Sequence, residues 1–234
     1  MSSAQNADSA LCPPGTLPDA RVCIPVPESM YAGGPENLAQ ASYQATRGGG
    51  LRAYHHIPRR PERPTDWAAY DLPLTGVPAV VSTYDLDLPS EQQRVGPTGI
   101  GHGGVDLAAP RGTPVRLMAL AHQEGDAEVV YVGALFGTSV ATLHALREAG
   151  RARNYVVVFG HLDSAAPGLS PGASVPTGVP IGLVGDSGSP GKVHLHLEVR
   201  QVREGVDARA LRGAELVDEA RTIACDPRNV LQIR

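Results

Sequence analysis

No apolar run in this chain goes far before a glycine or a proline interrupts it. The 27 glycines and 21 prolines are roughly a fifth of the 234 residues. Breakers spread along short apolar runs favour a loop-rich, mostly β protein over a helical bundle. The length can bury a full core and suits one main domain with appendages. A hydrophobic content of 42% is ordinary for a globular protein and too high for a wholly disordered chain. The formal net charge of -4 offers no field that would favour nucleic acid over another partner. No apolar run reaches the ~18 residues of a membrane-spanning helix, so no span is expected. The first residues, Met-Ser-Ser-Ala-Gln-Asn, lack the charged and apolar regions of a secretory signal. The chain is then either cytosolic or a mature form whose signal has been removed.

Two regions differ in texture. Residues 1–70 form a Pro/Gly-rich leader, with prolines breaking every apolar run and a flexible joint at Gly48, Gly49 and Gly50. Cys12 and Cys23 flank a turn-rich loop, the spacing of a small disulfide clip, with unpaired structural thiols as the alternative, while Cys225 stands far off as a buried, inert thiol. Arg59, Arg60 and Arg63 make a short basic cluster, read as solvated surface, with contact to an anionic polymer as the alternative. Residues 71–234 form the second region, where alternation and β-branched residues predict strands within 78–86, 105–120, 127–133, 154–162, 179–187 and 192–202. One helix is expected over 138–150, with Thr138 or Ser139 as cap, Val140, Leu143 and Leu146 as apolar stripe, and Gly150 at its end. A second is expected within 207–221, weakened by Gly213.

The residues with chemistry lie in three of the strand segments. His194-Leu195-His196 on a strand sends both imidazoles to one face, with Glu198 continuing it. Metal or catalytic use and polar surface are both open for such a pair. His102 and Asp106 are four apart, but Gly103 and Gly104 argue against a helix, so a tight turn feeding a strand must bring them together. Two imidazole nitrogens and one carboxylate oxygen suit Zn²⁺ and leave a fourth position open, as a catalytic zinc needs. His161 ends the apolar strand YVVVFGHLD, where alone it would read as a satisfied or surface histidine. Glu198 could orient a ligand from behind or form a ladder with Arg200. His55 and His56 are read as surface rather than as an inhibitory ligand. His122 and His144 are structural or exposed, Asp85 and Asp87 belong to a half-buried strand, Tyr84 lines the groove or packs in a strand, and Asp186-Ser187-Gly188 is a turn.

In order, GHGGVDLAAPRGTPV, VVVFGHLD, VPIGLVGDSGSPGKVHLHLEVR and CDPRNVL resemble the lysostaphin/LytM-type zinc metallopeptidases over residues 95–234. The resemblance implies a compact antiparallel β domain carrying an inserted helix and an irregular N-terminal leader. It implies that His102, Asp106 and His196 hold Zn²⁺ and that His161 and His194 are the catalytic pair, leaving open which is the base. The implied activity is endopeptidase hydrolysis of the peptide cross-links of bacterial peptidoglycan by zinc-activated water. Its setting would be the cell envelope, periplasmic or secreted, with no nucleic-acid partner. Two alternatives are a non-catalytic or self-blocked envelope protein that binds peptidoglycan or regulates an amidase, and a peptidase of Gly-rich proteins. The helix over 138–150 stands where the family has a hairpin strand, and the insertion 203–224 separates the HxH strand from CDPRNVL; both are expected to reshape the groove.

Overall fold

The computed structural model describes residues 16–19, 22–25, 43–45, 51–53, 57, 59–60, 62–84, 102–148, 150–218 and 220–234. The proposed Cys12–Cys23 clip and the readings of His55, His56, Asp85 and Asp87 lie outside the described residues. Within the leader, β1 (Thr16–Asp19) pairs antiparallel with β2 (Val22–Pro25), and β3 (Tyr43–Ala45) with β4 (Leu51–Ala53).

The rest of the described residues build one antiparallel sheet of ten strands. They are β5 (Val80–Ser82), β6 (Gly104–Leu107), β7 (Pro114–Arg116), β8 (Ala127–Leu135), β9 (Gly137–Glu148), β10 (Arg151–Ala165), β11 (Ser174–Val175), β12 (Pro180–Val184), β13 (Leu195–Val202) and β14 (Thr222–Cys225). Their order is β11-β8-β9-β10-β13-β6-β5, with β12 joining β10 to β7 and β14 beside β13. Each expected strand segment holds at least one of these strands. Among the described residues no helix is long and apolar enough to cross a membrane.

Neither expected helix forms. Residues 138–148 are the larger part of β9, the second strand of a hairpin with β8, so the expected inserted helix is replaced by a strand. The reason is burial on both faces. Val140 and Leu146 enter the main core, whereas Ala141 and Leu143 enter a second one on the other side of the sheet. A strand covered on both faces loses the two-residue alternation, and apolar positions at 140, 143 and 146 then imitate a helical stripe. Among the described residues of segment 207–221 the helical turns are 3-10, Ala208–Ala210 and Gly213–Val217. Its Ala208, Leu211, Leu216 and Val217 cover the second core.

The arginines of the leader are not a solvated patch. Arg63 Nε donates to the Arg228 carbonyl at 2.7 Å, and its other nitrogen donates to the Leu231 carbonyl. The Arg60 amide donates to Asn229 Oδ1 at 2.7 Å. Ile57, fully buried, bridges Cys225, and Tyr70 bridges Ile233. Residues 57–70 thereby clasp the chain's closing segment, whose Arg228 guanidinium lies 4.8 Å from the Trp67 ring centre. Cys225 is a fully buried free thiol, pushed well up from its ordinary pKa by desolvation.

Candidate metal centre

β13 lies between β10 and β6, and one face of it carries His194, His196, Glu198, Arg200 and Val202. Its other face sends Leu195, Leu197 and Val199 into the main core. Antiparallel register sets Asp106 of β6 directly opposite His196. The two strands close on each other because β6 begins with glycine. A Cβ on Gly104 would sit 2.4 Å from the Leu197 carbonyl oxygen and 2.9 Å from His196 Cε1. The GHGGVD segment therefore needs Gly104 for approach rather than for a turn. On the other side Gly160 faces His196, and its missing side chain leaves room for Phe136, whose ring centre is 4.4 Å from that of His196.

Three ligand-type atoms converge there. His102 Nε2 lies 3.1 Å from Asp106 Oδ1 and 3.2 Å from His196 Nδ1, and His196 Nδ1 lies 3.0 Å from Asp106 Oδ1. All three side chains are at most 5% exposed. The tautomers follow from the second nitrogen of each ring. His102 Nδ1 lies 2.8 Å from the Thr83 carbonyl, which only accepts, and so carries the proton. His196 Nε2 faces Glu198 Oε2 at 3.3 Å. Glu198 is in turn paired with the buried guanidinium of Arg200, whose Nε donates to Thr222 Oγ1 at 2.7 Å. With the His196 proton on Nε2, both rings would turn a lone pair towards the same carboxylate oxygen. Three facing lone pairs repel unless a cation or an extra proton sits among them.

The electrostatics agree with that reading. Burial alone would lower His196, but hydrogen bonds to Asp106 and Glu198 outweigh it and raise the ring to about 9. Burial would raise the Asp106 carboxyl, yet its bonds with His102 and His196 hold it far below the usual carboxylate range. Glu198 is likewise desolvated, and Arg200 and His196 together hold it at about 2. The donor set fits the metal the resemblance implies. Tetrahedral zinc with bonds of about 2.0 Å has ligand atoms about 3.3 Å apart, close to the sides of this triangle.

The remaining two histidines stand beside the triangle. Their ring centres are 4.6 Å apart, and that of His161 is 5.9 Å from that of His196. One loop, 186–192, fixes both. His161 Nδ1 donates to the Ser187 carbonyl at 2.8 Å, and His194 Nδ1 to the Lys192 carbonyl at 2.7 Å. Each ring therefore carries a proton on Nδ1, which leaves Nε2 as the nitrogen outside these bonds. His194 Nε2 is buried without a hydrogen-bond partner among the described residues and lies 3.6 Å from Asp106 Oδ1. Desolvation, reinforced by His196 and His194 and only partly offset by the Ser187 hydrogen bond, lowers His161 to about 4, so it is neutral at neutral pH. His161 has φ of 58°, left-handed for a non-glycine residue, on a stretch where the pairing of β10 slips between Phe159 and Leu162. A bulge of this kind re-aims one side chain.

The five histidine and aspartate positions singled out in the sequence thus lie in one cluster. Tyr84 does not line it: the ring is buried, its hydroxyl 3.5 Å from the Ala224 carbonyl. His144 is buried elsewhere, bonded to Thr142 and Gln123, and His122 is exposed. Phe136 and the carbonyls of Thr83, Ser187 and Lys192 were invisible in the sequence. Backbone acceptors carry no residue signature, and Phe136 is one of only two phenylalanines in the chain with nothing local to mark it.

Residues 100–208 match the model of peptidase family M23. No curated protein matches the chain. Among solved structures it is similar to a zinc-containing peptidase from Vibrio cholerae, at 24% identity and TM-score 0.43, over 73% of this chain and 46% of that one. It is also similar to the catalytic domain of the antimicrobial peptidase lysostaphin from Staphylococcus simulans, at 23% identity and TM-score 0.38, over 53% and 80% of the two chains. A third is the catalytic domain of the prophage-encoded M23 protein EnpA from Enterococcus faecalis, at 24% identity and TM-score 0.39, over 67% and 94%. The chain spans less than half the length of the Vibrio peptidase. Residues 100–208, just under half of the chain, are thus similar to peptidase family M23, the lysostaphin/LytM type.

Proposed function

We propose that the protein is a zinc metalloendopeptidase that hydrolyses peptide cross-links of bacterial peptidoglycan, outside the cytoplasm in the periplasm or beyond the cell. The observation that carries this is the convergence of three ligand-type atoms, His102 Nε2, Asp106 Oδ1 and His196 Nδ1, whose lone pairs a cation would draw together, beside two further imidazoles held by Nδ1–H bonds to carbonyls. His102, Asp106 and His196 would hold the ion, and Glu198 and the Thr83 carbonyl keep the two ligand rings in the tautomers that offer those lone pairs. Bound there, zinc would supply Lewis acidity, lowering the pKa of water and polarising a scissile carbonyl. His161 and His194 act as the proton carriers. One Nε2 takes a proton from the attacking water, and an Nε2–H delivers one to the departing amine. Both rings turn about axes already fixed by Nδ1–H bonds to carbonyls, so neither needs reorienting during the reaction.

Metal analysis of the purified protein and release of peptides from purified sacculi test this together. About one zinc per chain is expected for a single site, with release abolished by chelator and restored by zinc. His102→Ala, Asp106→Ala and His196→Ala should lose zinc and activity; His161→Ala and His194→Ala should keep zinc and lose turnover. Bound zinc with no chelator-sensitive release would support the non-catalytic envelope protein instead. Release from a pentaglycine peptide but not from sacculi would move the substrate to Gly-rich chains.

A further inference from the structure

The turn at Asp186-Ser187-Gly188 does more than join β12 to β13. The Ser187 hydroxyl is spliced into the ladder between β9 and β10. It accepts from the Thr138 amide at 2.8 Å and donates to the Leu162 carbonyl at 2.6 Å, and these two residues are Cα partners across the strands. That point is the far side of the bulge on which His161 sits with left-handed backbone. The same serine accepts the His161 Nδ1–H on its carbonyl at 2.8 Å. The contact is close by construction: a Cβ on Gly137 would come within 2.0 Å of the Ser187 oxygen. Gly137 itself has φ of 60°, so the β8–β9 turn presses its bare backbone against this residue. Asp186, next in line, is tied to Arg111 at 2.5 Å and accepts from the Gly191 amide at 2.9 Å, which closes the loop on itself.

We infer that Ser187 is a positioning residue for His161. Its hydroxyl locks the bulge from the backbone side while its carbonyl fixes the ring proton on Nδ1. This rests on the peptidase reading for the part His161 plays, but not for the geometry. A hydroxyl at 187 is needed because the ladder has one donor and one acceptor to satisfy at the bulge. Alanine leaves both unmet and lets the turn drift. Drift moves the carbonyl, and with it the ring that the carbonyl holds. None of the three ion-holding side chains bonds to Ser187, so metal retention is untouched.

Two measurements on the full chain decide it. Ring ¹⁵N spectra of His161 should report a single Nδ1–H tautomer with a slowly exchanging proton in the parent protein. Ser187→Ala should show a tautomer mixture and rapid exchange, with unaltered zinc content. On sacculi, Ser187→Ala should lower kcat about 10- to 100-fold, the scale of a misplaced catalytic group, and leave KM within about twofold. Placed in a His161→Ala background, the same substitution should not lower the residual rate of that variant further, which a general structural defect would not reproduce. If Ser187→Ala does not fold, Ser187→Cys, similar in size and a weak hydrogen-bonding group, takes its place in every arm. An unchanged ring spectrum, or an equal loss of kcat without His161, overturns the assignment. If the parent protein releases no peptide at all, the peptidase reading fails, and the ring spectra still decide the role of Ser187.

Discussion

At the scale of single residues, the cluster holds a proton in the place the proposed zinc would take. With His196 raised to about 9 by its two carboxylate partners, a proton occupies the triangle below that pH and an incoming ion must displace it. Zinc affinity should therefore rise with pH up to about 9, with proton release on binding. Titration calorimetry in buffers of different ionisation enthalpy measures both, and pH-independent binding would contradict this account of the cluster. His144 makes a different pH prediction. Its ring is fully buried and both nitrogens are bonded, and desolvation lowers it from 6.5 to about 3. The unfolded chain takes up a proton as pH falls through 6.5, whereas the folded chain does so only near 3. Stability should thus decline across that window, by on the order of a few kcal/mol at its acid end. His144→Gln should flatten that part of the stability profile measured by denaturant unfolding.

At the scale of elements, the site depends on how closely β6, β10 and β13 approach one another. Gly104 is the sharpest case, because the obstacle a methyl would meet is backbone, not a movable side-chain tip as at Gly103, where it meets Glu198 Oε1. Gly104→Ala should destabilise the protein by about 1–3 kcal/mol and lower zinc affinity, since parting β6 from β13 separates Asp106 from His196. Thermal unfolding with and without zinc checks it: a smaller zinc-induced rise in Tm than in the parent protein is expected, and an equal rise would mean that the strands do not part. The β8–β9 hairpin matters in a second way. A helix is expected from the sequence over 138–150, and the strand β9 that stands there instead, with its turn from β8, brings Phe136 against His196 and Gly137 against Ser187.

At the scale of the whole molecule, the sheet has a core on each face, and the site shares one face with the second core. The segment 203–221 covers that core, while His194 and His196 lie towards the other end of the same face of β13, themselves buried. Leu216→Ala should cost about 2–5 kcal/mol, as its side chain is fully buried there, yet leave zinc stoichiometry unchanged. Unfolding curves and metal analysis separate the two; loss of zinc in the folded variant would tie the insertion to the site more closely than its packing does.

The sequence alone sufficed where a residue's own neighbours carry the information. The HxH pair shares a face because strands alternate, the strands of 105–107, 127–133 and 154–162 are β-branched and bounded by turns, and Gly103-Gly104 rules out a helix. It failed at 138–148, since burial on both faces erases periodicity and only the partners β8 and β10 select the strand. It failed again for Arg60 and Arg63, whose bonds reach residues more than 160 positions away. That Asp106 stands opposite His196, that Gly160 admits Phe136, and that one loop holds two imidazoles by its carbonyls were all settled by tertiary structure. Register and backbone acceptors are properties of paired strands, and a chain read one residue at a time does not contain them.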